Sequence, residues 1–208
     1  MKLRALLCFA MLCVVASPTF AEETAKAKPA GKGKAAPAMD AKAMEEMMMK
    51  AAMPGPFHER LKKLEGDWNL TVKTSMDPSQ PMEETKSTSV VRSLMDGRYC
   101  QEEVSGEMMG KPFTGLSLTG YDNILKKYVS TWCDNMGTGI MTSEGTPDAS
   151  GNVINWTGQS SDPMTGKMTK FRMVSRFVDD NKHTFEMFSK GPDGKEMKMM
   201  EITYERKM

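Results

Sequence analysis

From Trp68 to the end of the chain, apolar and polar side chains alternate. Trp68, Leu70 and Val72 point one way while Asn69, Thr71 and Lys73 point the other, the period-two signature of a half-buried β-strand. The alternation recurs in about ten runs, at 67–75, 83–94, 98–108, 112–121, 127–134, 139–146, 152–160, 167–178, 183–190 and 196–207. The breaks between them, among them "DPSQP", "MDG", "MMGKP", "DNMG", "PDASGN" and "GPDG", carry turn residues. Such connections are too short for parallel crossovers, so successive runs pair antiparallel. A meander of this many strands closes on itself, because closure removes both exposed edges. The predicted fold is therefore all-β, a closed antiparallel up-and-down barrel over residues 56–208 with a short N-terminal helix.

Upstream, the period changes. In "FHERLKKLEG" Phe57, Leu61 and Leu64 recur at helical spacing and Gly66 supplies a stop. The segment is the size of a lid over a barrel end, with His58 expected on its exposed side. "MDAKAMEEMMMKAAM", residues 39–53, is rich in helix formers and places Ala43, Met44, Met47, Met48, Ala51 and Ala52 on one face. Residues 22–38 hold Ala, Lys, Pro and Gly with no large apolar side chain and read as disordered. Residues 22–55 are thus a tether carrying a Met-rich helical segment. Residues 1–21 have a basic start (Lys2, Arg4), an apolar run from Ala5 to Ala16, and Thr19-Phe20-Ala21 as a small-residue cleavage site. They read as a secretory signal, which predicts an exported protein, periplasmic or secreted, with no membrane span after cleavage.

Loss of Lys2 and Arg4 takes the 28 basic residues to 26, against 27 acidic ones. That balance argues against nucleic acid, which demands a basic footprint. Of four cysteines, Cys8 and Cys13 lie in the leader, leaving Cys100 and Cys133. An oxidising compartment favours a disulfide. The strand count favours two free thiols, because a whole strand separates the third run from the fifth.

A closed barrel sets its first and last strands side by side. In the last run Arg206 shares a face with Tyr204 and Ile202, and a buried arginine requires a partner. Trp68 can carry the guanidinium on its ring, and Gly66 lets the chain turn into the strand. Gly66, Trp68, Tyr204 and Arg206 are the predicted closure residues, in the pattern that resembles the calycin signature of lipocalins and fatty-acid-binding proteins. The segments "KKLEGDW", "GKPFTG", "LTGYDN", "YVSTWCD", "TSEGT", "DPMTGK", "HTFEMF", "GPDGKE" and "KMMEITYERK" resemble, in order, the domain-of-unknown-function 1579 family across residues 56–208. The resemblance implies a lipocalin-like barrel in a family common among exported bacterial proteins. It implies no activity and no catalytic residues.

No hydrolase, zinc-protease or nucleotide-loop motif is present. The partly polar middle of the strands suggests a ligand cavity instead. Tyr99 and Gln101 in the third run, Tyr128, Trp132 and Asp134 in the fifth, and His183 in the ninth are the interior candidates for ligand binding. His183 as the one inward histidine could ligate haem iron, but reads better as a structural histidine at a strand end. The 23 methionines could offer soft copper ligands, but lack fixed spacing and accompanying histidines. No cofactor, metal or catalytic group is expected. The leading reading is a non-catalytic carrier or sensor of a small, partly apolar or amphipathic molecule. The alternative is a structural or interaction module whose Met-rich helix docks an unknown protein partner. An enzyme using interior carboxylates ranks third.

Overall fold

The structure, a computed structural model, describes residues 40–208 apart from 76, 78, 164, 192 and 193. The predicted leader at 1–21 and the linker at 22–38 lie outside the described residues. Two helices precede ten strands: α1 (Ala41–Ala52), α2 (Pro56–Lys62), β1 (Gly66–Thr74), β2 (Glu83–Leu94), β3 (Tyr99–Met108), β4 (Lys111–Asp122), β5 (Lys127–Asp134), β6 (Met141–Pro147), β7 (Val153–Asp162), β8 (Lys167–Asp179), β9 (Lys182–Lys190) and β10 (Glu196–Arg206). Every strand pairs antiparallel with its neighbour in sequence, and β1 pairs with β10 to close the barrel. Each of the ten predicted runs is a strand, with ends displaced by two residues at most.

The closing register is Trp68 opposite Arg206, Leu70 opposite Tyr204 and Val72 opposite Ile202. It puts the two apolar faces predicted from β1 and β10 on the same side, inside the barrel. The Arg206 guanidinium carbon lies 4.2 Å from the centroid of the Trp68 ring, and Trp68 is 1% exposed. The expected closure contact is therefore present.

α2 seals one end. Pro56 stands in its first turn, where its missing N–H costs nothing. Phe57 stacks on Tyr121 at 4.4 Å and meets Tyr128 edge-on at 6.1 Å, while Leu61 is fully buried beneath the helix. His58 is buried, not exposed as its helical position suggests. Its Nδ1 accepts a hydrogen bond from the Gly55 N–H, and its ring stands edge-on to Tyr121. His58 and Leu61, three residues apart, share the face turned to the barrel, while Glu59 and Lys62 stay exposed.

α1 buries no residue. Asp40 caps its start by accepting from the Lys42 N–H, and the Asn123 side chain in the β4–β5 turn donates to the carbonyls of Ala51 and Met53 at its end. No helix among the described residues is long and apolar enough to cross a membrane.

Candidate functional site

The inner wall divides into two halves. Toward α2 it is filled: Trp68, Leu70, Tyr121, Tyr128, Ile154, Trp156, Met173 and Tyr204 form one buried cluster with Leu61. Toward the other end inward residues of β1, β2, β9 and β10, Val72, Thr85, Ser87, Phe185, Met187 and Ile202, are only half-buried. A side chain that points inward and still meets solvent lines a lumen. Ten strands enclose more width than eight, in which side chains alone fill the centre or leave space for one small ligand.

At the junction of the two halves lies a polar group. Glu102 follows Cys100 by one inward step on β3; Ser89 on β2 pairs with Val104 and Trp68. Tyr204 reaches the same carboxyl from β10. Burial pushes the Glu102 carboxyl up, and the Ser89 and Tyr204 hydroxyls pull it partly back. Burial raises the Tyr204 phenol as well, with Glu102 adding to the effect. The Cys100 thiol, under the same burial and beside Glu102, is pushed up to about 12. Ser89 Oγ and Glu102 Oε1 are buried and have no hydrogen-bond partner. The Ser89 hydroxyl is thus close enough to the carboxyl to lower its pKa, at a geometry short of a closed hydrogen bond.

His183 forms the floor beside this group. Its ring stacks on Tyr204 at 4.1 Å and meets Trp68 edge-on at 4.6 Å. Burial, with the Arg206 charge nearby, lowers its pKa to about 4, so the imidazole is neutral near pH 7. Its Nδ1 is buried without a partner. A crevice of about 10 Å³, lined among others by Arg60, Lys63, Asp180 and His183, reaches it from the α2 side; that is at most the room one water needs. Enclosed by three aromatic rings, Phe177 being the third at 6.2 Å, His183 is a packed core residue.

The sequence-predicted candidates do not converge. Tyr128 faces inward but is wholly buried under α2, its hydroxyl donating to the Phe57 carbonyl. Trp132 and Asp134 face the lumen's open half, where the Trp132 indole donates to the Asp134 carboxylate at 2.9 Å. Tyr99 and Gln101 are on the outer wall, which corrects their assignment to the interior. Gln101 bonds Glu103, itself paired with Arg92 in solvent, and Tyr99 covers Gly120 from outside. The other parity of β3, Cys100, Glu102 and Val104, faces in. The signal was Val104: as the strand's one aliphatic residue it marks the buried face, and the charge on Glu102 hid it. Among the described residues no group of three or more His, Cys, Asp or Glu is placed to hold a metal ion.

A depression of about 500 Å³ also opens on the outer wall, between polar side chains of β1, β2 and β3 such as Asn69, Thr88 and Ser105. It is shallow and brings no reactive groups together.

Residues 53–206 match the family described as "Protein of unknown function (DUF1579)". The chain belongs to the DUF1579 family. No curated protein matches it. Among solved structures, Rv2717c from M. tuberculosis is similar over 75% of this chain and 100% of its own, with a TM-score of 0.54 at 14% identity. At that identity the likeness speaks for the barrel fold alone. A redesigned β-barrel shares 12% identity over 71% of this chain and 95% of its own, with a TM-score of 0.37. A protein of unknown function from the DUF3598 family of Nostoc punctiforme covers 74% and 100%, with 8% identity and a TM-score of 0.22. Among the described residues of this DUF1579 chain, the buried side-chain polar atoms without a partner are Ser89 Oγ, Glu102 Oε1 and His183 Nδ1.

Proposed function

We propose that this DUF1579 protein is an exported, non-catalytic barrel that holds a small, partly apolar molecule in its lumen. One observation carries the reading: Ser89 Oγ and Glu102 Oε1 are cut off from solvent and unpaired at the floor of a lumen whose upper wall is half-exposed. Buried polar atoms are nearly always paired, because each one left alone costs about 1–3 kcal/mol. A ligand with a polar end at the floor and an apolar body against Val72, Phe185 and Ile202 would satisfy both halves of the site. The Trp68–Arg206 closure supports a calycin-type relationship, although lipocalins have eight strands. Export rests on the leader-like residues 1–21.

Native mass spectrometry of the protein purified from its own host tests the reading. A discrete extra mass that is lost on denaturation is expected; an empty chain from every preparation would overturn it. The second reading, an interaction module, has its own support: Met44, Met47, Met48 and Met49 on α1 are all at least half exposed. Co-purification of one protein partner that is lost on deleting 40–53, with an empty lumen, would favour that reading.

A further inference from the structure

We infer that α1 docks on the outer wall of a second copy of this chain, along β4 and β5, and that the exchange is reciprocal. The inference rests on the reading of α1 as a docking element and names its partner; what the lumen holds does not enter. The helix needs a cover. A helix of 12 residues is marginal in water unless an apolar face packs, and α1 buries none of its residues. Met44, Met47, Met48 and Ala51 lie on one face at helical spacing, and the three methionines are at least half exposed.

The wall needs one too. Leu116 and Leu118 on β4, Val129 on β5 and Tyr99 on β3 point outward and are each at least 40% exposed. Among the described strand residues, the other large apolar side chains so exposed, Met168 and Val178, stand at opposite ends of β8. From Leu116 to the row of Tyr99 and Val129 is four residues, about 13 Å of strand; from Met44 to Ala52 is eight, about 12 Å of helix. Helix face and stripe thus match in length. Asn123 fastens the end of α1 at the β4–β5 turn, in a position that leaves both surfaces of the same chain uncovered. A second copy supplies what each lacks. One helix face with the wall beneath it hides roughly 700 Å², short of a stable interface; the reciprocal pair of a two-fold dimer hides about 1,400 Å², within the usual range. Charge does not oppose it. α1 carries two lysines and two glutamates, and ions flanking the stripe are already paired, Glu103 with Arg92 and Glu144 with Lys127.

Sedimentation equilibrium of the chain beginning at residue 22, from micromolar to hundred-micromolar concentration, tests this. A reversible dimer is expected. Met48→Glu on the helix and Leu118→Glu on the wall, both at exposed positions, should each weaken it roughly tenfold or more and leave the unfolding midpoint of the dilute monomer unchanged. In a chain with Met48→Cys and Leu118→Cys, mild oxidation should link two chains; a link within one chain would place α1 on its own wall and overturn the second copy. A dimer indifferent to Leu118→Glu would overturn the wall as the docking site. A chain monomeric at every concentration would overturn the dimer. Co-purification of a different protein that is lost on deleting 40–53 would then leave α1 standing as a docking element, and its absence would remove that reading as well.

Discussion

His183 shows how one residue's surroundings set its chemistry. An imidazole among Trp68, Tyr204 and Phe177, with the Arg206 guanidinium on β10 and Arg60 of α2 and Lys63 just past it along the adjoining crevice, is held neutral. Asp179 and Asp180 at the crevice's edge do not outweigh burial. Its pKa falls from the ordinary 6.5 to about 4. Between those values the unfolded chain takes up a proton that the folded one refuses. The contribution of His183 to stability is therefore whole above about pH 6.5 and is lost as the pH falls toward 4, by about 3 kcal/mol across the window. Glu102, whose carboxyl is raised, works in the opposite sense, since its cost relaxes on acidification. Urea unfolding of wild type and His183→Phe between pH 4 and 7 isolates the histidine. The wild type should lose more stability than the variant as the pH falls, and parallel curves would refute the assignment.

At the level of elements, Arg206 joins four of them. Its ring partner Trp68 is on β1, and its donors reach the Lys63 and Glu65 carbonyls just past α2 and the Asp180 carbonyl between β8 and β9, at 2.7, 2.6 and 3.0 Å. Carbonyls at a helix end lack intrahelical partners, so the last strand of the barrel caps the helix that plugs it. Trp68 adds to this by donating its indole N–H to the Leu64 carbonyl. Gly66 is required where these parts meet: its φ is +134°, and a Cβ there would stand 2.5 Å from the Arg206 Nη1. Arg206→Ala should cost about 2–3 kcal/mol through the lost cation–π contact and the uncapped carbonyls. Arg206→Lys should recover little, because a compact ammonium lacks the planar fork that lies on the Trp68 ring and spans the separated carbonyls. Chemical denaturation measures both; a lysine variant as stable as wild type would show that charge alone holds the end.

For the whole molecule, the meander determines what can meet. Cys100 pairs with Thr119 on β4, and Cys133 with Leu116 on the far side of that strand. The two cysteines also face opposite sides of the wall, Cys100 inward and Cys133 outward, and both are free thiols. The sequence argument for free thiols rested on the intervening strand; the opposite faces are a second and stronger obstacle to a disulfide. In a chain beginning at residue 22, a thiol reagent should label Cys133 in the folded protein and Cys100 only on unfolding, since Cys100 is buried and its thiol is pushed up to about 12. Two thiols labelled at equal rates under native conditions would contradict the placement.

The sequence by itself determined the strands, their antiparallel order and the Trp68–Arg206 closure. Period-two alternation, turn residues and connection length are local properties, and a strand count with short turns leaves few ways to close. It left the inward parity of β3 obscured, because Val104 alone marks the buried face and the charge on Glu102 beside it hides that mark. Only the tertiary structure decided that. Val91 on β2 and the register across β2, β3 and β4 bring Cys100 beneath α2, and a period of two then carries Glu102 inward with it. The floor of the lumen is assembled from β2, β3, β9 and β10, residues far apart in sequence. Ser89, Glu102, His183 and Tyr204 come together because the barrel closes, and no local pattern records which side chains that closure leaves without partners.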